Sequence, residues 1–185
     1  MISESILEGQ RLRLRPVEEG DLSLFLRWFN DPDVRYWLSM SDASELTLES
    51  EREWYEEMRG DPARVVWCIE TREGQPIGNL GLHAIDEGQG RATLGISIGE
   101  KEQWSQGYGT EAIRRALRYG FEEMGLRRVD LQVDEDNLRG IRCYEKCGFV
   151  REGLLRAHRI RKGQPVNAVV MSILREEFEA QPPSD

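Results

Sequence analysis

A glycine-rich segment has the residue types of an anion-binding turn: Trp104-Ser105-Gln106-Gly107-Tyr108-Gly109-Thr110-Glu111-Ala112. It lies between a predicted strand and a predicted amphipathic helix. Glycine at 107 and 109 lets the backbone turn tightly and approach a ligand without a Cβ collision. The free N–H groups of a first helical turn point towards an anion. The segment therefore predicts a phosphate or pyrophosphate site, and a turn without a ligand is the alternative.

The same glycines allow a rival interpretation as a dinucleotide-binding fingerprint. Gly107-x-Gly109-x-x-Ala112 matches that pattern, and Asp130 lies near the offset of its ribose-binding acid. In dinucleotide-binding proteins, however, the glycines follow directly on a buried parallel strand. Here the polar loop 99–103 precedes them, and Asp130 lies inside a strand pattern rather than after it. A nucleotide-dependent oxidoreductase is therefore the weaker alternative.

A second segment predicts a helix that ends at Gly148: Asn137-Leu138-Arg139-Gly140-Ile141-Arg142-Cys143-Tyr144-Glu145-Lys146-Cys147-Gly148-Phe149. Together the two segments resemble the GNAT superfamily of acyl-CoA-dependent N-acetyltransferases. The segments 12–16 and 28–31, with Val34, are similar to one branch of that superfamily. This branch includes ribosomal-protein N-terminal, spermidine and some aminoglycoside acetyltransferases. The resemblance covers nearly the whole chain in the order of its elements.

The resemblance implies acetyl-CoA as co-substrate, no metal, and a set of cofactor contacts. Trp104 stands where the family's motif usually begins with Gln or Arg, so its side chain is not assigned to the phosphates. The pantetheine arm would pair like an extra strand with the end of the predicted fourth strand, which must splay from its neighbour. Asn137 matches a residue that contacts the pantetheine or positions the cofactor. The main-chain groups implied for pyrophosphate and pantetheine are those of Gln106, Gly107, Tyr108, Gly109 and Thr110, and of Ile96, Ser97 and Ile98.

Tyr144 matches the residue that protonates the departing coenzyme A thiolate in many family members. A phenol with a reference pKa of about 10 keeps its proton at neutral pH, and a thiolate whose thiol has a pKa of about 8.5 can accept it. The alternative for Tyr144 is a packed helix aromatic. Its neighbours Cys143 and Cys147 have no His or acid partner in the pattern, so we interpret them as core or boundary residues.

The general base is not evident from the sequence. Many relatives carry a glutamate where this chain has Thr93, and some carry an aspartate near Ser97, so neither position is acidic here. Glu100, Asp134 and a water relayed by Ser97 are the candidates. The missing acid leaves open a catalytically silent acyl-CoA-binding module as the alternative to an enzyme that transfers acetyl directly to an amine.

The resemblance implies an acceptor with a primary amine: a peptide N-terminus, a polyamine or an aminoglycoside-like molecule. The second predicted helix is rich in glutamate, and Asp42 and Glu45 precede it. These carboxylates are a candidate field for a cationic acceptor, and a solvated acidic face is the alternative. A homodimer would be ordinary for this branch.

The periodicities predict one α/β domain over residues 1–180, followed by a frayed tail at 181–185. We expect a mixed, mostly antiparallel sheet of about seven strands, with strands 4 and 5 splayed and about four helices flanking it. The predicted strands are 11–16, 65–69, 77–85, 92–98, 129–133, 149–159 and 166–174. The predicted helices are 19–30, 46–59, 109–124 and 137–147.

Charge and composition exclude several classes of protein. The 185 residues include 25 Lys and Arg against 34 Asp and Glu, a net charge of −9, which argues against a nucleic-acid or anionic-membrane binder. No apolar run approaches the roughly 20 residues of a spanning helix. Three cysteines without metal-ligand spacing suit a reducing cytoplasm, which is the expected location.

Overall fold

The computed structural model describes residues 6–38, 40 and 42–182. Its strands form one sheet of eight in the order β1-β2-β3-β4-β5-β6-β8-β7, and β5–β6 is the parallel pair among antiparallel neighbours. The strands are β1 Leu7–Glu8, β2 Leu12–Pro16, β3 Val65–Thr71, β4 Pro76–Asp86, β5 Arg91–Ile98, β6 Arg128–Asp134, β7 Val150–Arg161 and β8 Gln164–Leu174.

Six α-helices flank the sheet in the described part of the chain, and none of them is long and apolar enough to cross a bilayer. They are α1 Leu22–Asn30, α2 Pro32–Trp37, α3 Leu48–Gly60, α4 Tyr108–Arg118, α5 Leu138–Lys146 and α6 Arg175–Glu179. A π-helical turn, Tyr119–Glu123, extends α4.

The structure confirms the predicted single-domain α/β fold, its mixed sheet and the splayed strands, and it adds three short elements. The first is the two-residue strand β1; because it precedes the others, the predicted fourth strand is β5 in the structure. Asn30-Asp31-Pro32 ends α1 as predicted, but Pro32 also begins α2, because its fixed φ and missing N–H suit the first helical position. The Asp31 carboxylate caps α2 by accepting from the N–H of Asp33 at 2.9 Å. The third addition is α6.

The predicted boundary at residue 180 and the tail at 181–185 stay predictions. Residues 183–185, like residues 1–5, lie outside the described residues. Gln181 is described, and its Nε2 donates to the carbonyl of Cys147 at 3.2 Å.

The core has two parts, one on each face of the sheet. All of β3 is buried, because its alternate residues pack against different helices. Trp67 and its neighbours on one face belong to the larger cluster, which includes α4 through Ile113 and Leu117. Val66 and Cys68 belong to the second cluster, with Phe25, Trp28 and Met58 from α1 and α3. Helix α4 on one face, and α1 and α3 on the other, therefore cover β3.

The splay begins at a defined place in the ladder. β5 pairs with β6 over Arg91–Thr93 only, and the Thr93 hydroxyl donates to Asp130 Oδ1 at 2.9 Å. Beyond that tie, β5 continues to Ile98 paired with β4 alone. Gly78 of β4 lies opposite Ile98, and a Cβ at position 78 would come within 2.1 Å of the Ser97 carbonyl oxygen. Glycine at 78 therefore lets the end of β5 lie against β4 and away from β6.

Gly78→Ala is expected to destabilise the protein by about 1–3 kcal/mol, because the new methyl group meets backbone rather than a flexible side chain. The measurement is the urea midpoint of unfolding. Gly20→Ala is the matched control, since a Cβ there has no atom within 4 Å. Equal destabilisation by the two substitutions would contradict this account of the splay.

Candidate active site

A cavity of about 600 Å³ opens where β5 and β6 diverge. Its walls come from the end of β5, the start of α4, helix α5 and the short helix α2. Gln106 and Glu100 do not line it. The sequence-predicted residues that the structure brings together on its walls are Ile96, Ser97, Ile98, Gly107, Tyr108, Gly109, Thr110, Asn137 and Tyr144.

The start of α4 is an uncapped helix end that faces this cavity. Gly107 is its N-cap residue, with φ +90, and no side chain caps the helix. The positive φ explains the glycine, because a Cβ is strained there. The N–H groups of the first turn have no partner within the helix. A helix end of this kind is suited to bind a phosphate group.

Arg11 braces the loop that precedes α4. Its Nη1 donates to the Gln106 carbonyl at 2.8 Å, and its guanidinium lies 4.3 Å from the centre of the Tyr108 ring. Its main-chain N–H donates to Glu111 Oε1 at 2.9 Å. The Gln106 side chain bonds instead to the Glu102 carbonyl, outside the cavity. Sequence reasoning missed Arg11, whose alternation with apolar residues had suggested only an edge strand.

Trp104, the position at which this sequence departs from the family's motif, connects the loop before α4 to its neighbours. Its indole Nε1 donates to the Ile98 carbonyl at 2.7 Å, which ties the loop to the end of β5. The Arg139 guanidinium lies 3.8 Å from the centre of the indole ring. Trp104 therefore fixes the distance between the free end of β5 and the start of α4.

Tyr144 is half-buried on the cavity wall, and its ring meets Phe149 edge-on at 5.9 Å between centroids. Burial raises the pKa of the Tyr144 phenol, and the thiols of Cys143 and Cys147 raise it further. The phenol consequently keeps its proton throughout the neutral range. Tyr144 can therefore serve both in packing and in proton donation, because its ring packs against Phe149 while its side chain also lines the cavity.

The two cysteines of α5 differ in position. Cys147 is fully buried, as expected for a core residue, whereas Cys143 also lines the cavity. Hydrogen bonds from Cys147 and from Thr110, whose Oγ1 lies 3.4 Å from Cys143 Sγ, lower the pKa of Cys143. These contacts join α5 to the first turn of α4.

Asn137 begins α5 and lines the cavity at the same time. Its Oδ1 accepts from the Gly140 N–H at 2.9 Å, which caps the helix. Because the Oδ1 atom is used by this cap, the Nδ2 group is the part of the side chain that could bind a ligand.

The base candidates occupy different environments. Ser97 lines the cavity with 9% of its surface exposed. Glu100 accepts from Trp28 Nε1 at 2.9 Å and pairs with Arg27, so its carboxylate is engaged by α1. Asp134 lines the cavity but accepts from two guanidinium groups. Ser97 and Asp134 thus line the same cavity as Tyr144, and Glu100 does not.

The acidic helix α3 does not take part in the cavity, since no residue of 48–60 lines it. This placement favours the solvated acidic face. Val34 and Trp37 of α2, and Leu38 directly after it, line the cavity instead. Trp37 and Leu38 were missed, because a six-residue helix after a proline has too few turns to show a period.

A family model described as the acetyltransferase (GNAT) domain matches residues 11–150. The chain belongs to the GNAT acetyltransferase family. It is an acetyl-CoA-dependent N-acetyltransferase, as the two motifs predicted. The dinucleotide-binding interpretation has no support from this match.

Relatives of this acetyltransferase are similar along most of their length. The spermidine N(1)-acetyltransferase of Escherichia coli (strain K12) is 30% identical over 171 residues, which cover 92% of this chain and 89% of the relative. The aminoglycoside N(6')-acetyltransferase type 1 of Klebsiella pneumoniae is 26% identical, covering 76% and 74%. The crystal structure of spermidine N-acetyltransferase from Vibrio cholerae in complex with CoA and spermine superposes with a TM-score of 0.85 at 27% identity, covering 91% and 98%.

The cavity of the acetyltransferase fits acetyl-CoA. When bound, acetyl-CoA supplies an activated acetyl group as a thioester. The start of α4 offers unpaired N–H groups for its phosphates, and the β6-facing edge of β5 beyond Thr93 offers main-chain groups for its arm. The described residues hold no group of three or more His, Cys, Asp or Glu side chains placed for a metal ion.

Proposed function

We propose that this enzyme transfers the acetyl group directly from acetyl-CoA to a small primary amine within the β5–β6 cavity. One observation carries the proposal: the Tyr144 phenol, the uncapped start of α4 and the unpaired end of β5 line the same cavity. An anion site, a strand-like edge and a proton donor are the three groups that thioester aminolysis on this cofactor requires.

The cofactor contacts follow from this arrangement. The main-chain N–H groups of 106–110 bind the pyrophosphate, with Gln106 contributing backbone only, since its side chain points to Glu102. Ile96, Ser97 and Ile98 pair with the pantetheine arm along the open edge of β5. Asn137 Nδ2 donates to the same arm. Arg11 and Trp104 hold the two binding segments at a fixed separation.

Chemistry at the thioester needs one proton delivered and one removed. The amine nitrogen forms a bond to the acetyl carbon, and the carbon–sulfur bond breaks. A β5 N–H polarises the carbonyl oxygen. Tyr144 delivers its phenolic proton to the sulfur as the carbon–sulfur bond breaks, and because its pKa lies above that of the thiol, the phenolate regains a proton from water afterwards. Water relayed by Ser97 takes the amine's proton, because the carboxylate of Glu100 is engaged by Arg27 and Trp28.

The acceptor is a small amine in this proposal. Two relatives are named for spermidine and for an aminoglycoside, which makes polyamines and amino sugars the first molecules to test. A peptide N-terminus is the alternative, since an α-amine with a pKa of about 7.7–8.0 gives up its proton more readily than a lysine-like amine. Homodimer formation is a further prediction, which sedimentation would test.

The test is release of free thiol from acetyl-CoA with spermidine, an aminoglycoside, amino acids and a short peptide, with the acetylated product identified by mass spectrometry. We expect thiol release that depends on a primary amine. Tight binding of acetyl-CoA without turnover on any amine would instead favour the silent acyl-CoA-binding module.

A further inference from the structure

The cavity is poor in groups that could bind a positively charged acceptor. Among the described residues, Asp134 is the one carboxylate that lines it, although the whole chain carries −9. Asp42 and Glu45, which precede the acidic helix α3, are exposed and do not line the cavity. The carboxylates that the sequence suggested for a cationic acceptor therefore lie outside the place where acetyl transfer is proposed.

Asp134 is already paired with arginine side chains. Its side chain is 2% exposed. Its Oδ1 accepts from Arg159 Nη1 at 2.9 Å, and its Oδ2 accepts from Arg161 Nη1 at 3.1 Å. Arg161 also pairs with Asp136, so two guanidinium groups and two carboxylates balance one another. An ammonium group that approached Asp134 would lose its water and would have to compete with both arginines for the carboxylate.

The other cations on the cavity walls lie beside the proposed cofactor site. They are Arg139, Arg142 and Lys146, all on α5. The Lys146 carbonyl accepts from Arg114 of α4 at 2.8 Å, which joins α5 to the phosphate-binding helix. These cations attract the phosphates of the cofactor, and they do not attract an ammonium group.

Helix α2 and the residue after it supply an apolar wall at the end of the cavity near Asp134. The residues of this wall are Val34, Trp37 and Leu38. The Trp37 ring meets Tyr36 edge-on at 4.8 Å between centroids. Arg161, which is bonded to Asp134, lies 4.2 Å from the centre of the Tyr36 ring and 5.7 Å from that of Trp37. Arg161 therefore holds α2 near the end of β6, and the wall is formed before an acceptor binds.

We propose that the acceptor is a monoamine, with one primary amino group on an apolar alkyl or aryl body. The body packs against Trp37 and Leu38, and burial of its apolar surface favours binding. A second ammonium group on the same body would lie against this wall and lose its water without an available carboxylate. Trp37 is thus a specificity-determining residue for the acceptor. This inference rests on the proposed transfer reaction and narrows its acceptor from any small amine to an apolar monoamine.

The experiment compares n-hexylamine with cadaverine, which have the same length and differ in whether the far end is a methyl or an amino group. Spermidine is the third acceptor. For the wild type we expect kcat/KM for hexylamine to exceed that for cadaverine by about 10- to 100-fold, because the second ammonium group of cadaverine is buried without a partner. Spermidine should be no better than cadaverine.

Two variants of the wall should change this ratio in the same direction for different reasons. Trp37→Ala is expected to lower kcat/KM for hexylamine by about 10-fold, mainly through KM, because it removes apolar contact, and to leave cadaverine within about threefold. Leu38→Glu places a carboxylate on the wall and should raise kcat/KM for cadaverine relative to hexylamine by about 10-fold. Such a gain for cadaverine cannot result from loss of folded protein.

Trp54→Ala is the matched control, because Trp54 lies on α3, packs edge-on against Phe25 and does not line the cavity. It should keep the wild-type ratio of hexylamine to cadaverine.

The outcomes separate this inference from the transfer reaction itself. Equal kcat/KM for hexylamine and cadaverine, or a preference for cadaverine or spermidine, overturns the monoamine proposal and leaves the transfer reaction standing. Turnover confined to amino acids, peptides or aminoglycosides has the same consequence. A wild-type ratio that survives in Trp37→Ala overturns the role of Trp37, and one that survives in Leu38→Glu overturns the role of the missing carboxylate. Binding of acetyl-CoA without turnover of any amine overturns both proposals.

Discussion

Tyr144→Phe is expected to lower kcat by about 100-fold or more while leaving the KM for acetyl-CoA nearly unchanged. The substitution removes the phenolic proton but keeps the ring that packs on Phe149, and general acid catalysis contributes roughly 10²–10⁴-fold. The assay is thiol release at saturating acceptor. Because burial raises the pKa of Tyr144, we also expect no fall in wild-type kcat from loss of its proton below about pH 10.

Tyr55→Phe is the control for this substitution, since Tyr55 lies on α3, outside the cavity, and stacks with Arg59. Its kcat should equal that of the wild type. If Tyr144→Phe and Tyr55→Phe were equally active, Tyr144 would be a packing residue only, and the thiolate would take its proton from water.

Gly109→Asp is expected to weaken acetyl-CoA binding by about 100-fold or more without loss of folding stability. Gly109 lies in the first turn of α4 and lines the cavity. A carboxylate placed there repels the pyrophosphate and competes for the same N–H groups, each of which contributes about 1.5–3 kcal/mol to a charged partner. Acid near a helix N-terminus stabilises the helix by about 0.3–1 kcal/mol. Calorimetric titration with acetyl-CoA and a thermal melt of the free protein measure the two effects.

Gly109→Ala separates the charge from the added bulk. A Cβ at this position lies 3.4 Å from Cys143 Sγ and 4.0 Å from Ile96 Cδ1, which is ordinary van der Waals contact. The alanine variant should therefore bind acetyl-CoA much better than the aspartate variant. Equal loss of binding in both would show that Gly109 is needed for space, and equal retention in both would place the pyrophosphate away from α4.

The main elements of the fold could be predicted because their signals are local. The buried run at Val65–Thr71 and the apolar face of α4 follow from periodicity within each segment. Gly107 could be assigned to a special turn from its neighbours alone. The short helix α2 could not, because Pro32 serves both as the end of one helix and the start of the next. The length over which β5 and β6 diverge could not be predicted either, because it depends on the close approach of Gly78 to Ser97 on the neighbouring strand.

The candidate cofactor-binding residues and proton donor could be proposed from motifs, whereas residues that reach the cavity from distant strands could not. Gly107, Gly109 and Tyr144 lie in two continuous segments, so their types and spacing carry information. Arg11 and Arg159 reach the site from distant strands, and only the folded sheet brings them to α4 and to Asp134. Acidic residues of α3 looked suited to an acceptor by composition, yet the packing of α1 and α3 against β3 places them outside the cavity.

A crystal structure with bound coenzyme A tests the central claim most directly. The account predicts pyrophosphate oxygens within hydrogen-bonding distance, about 2.7–3.2 Å, of main-chain nitrogens between residues 106 and 110, with the pantetheine lying along β5 from Ile96 to Ile98. Coenzyme A bound with its pyrophosphate elsewhere, or with its pantetheine outside the gap between β5 and β6, would contradict it.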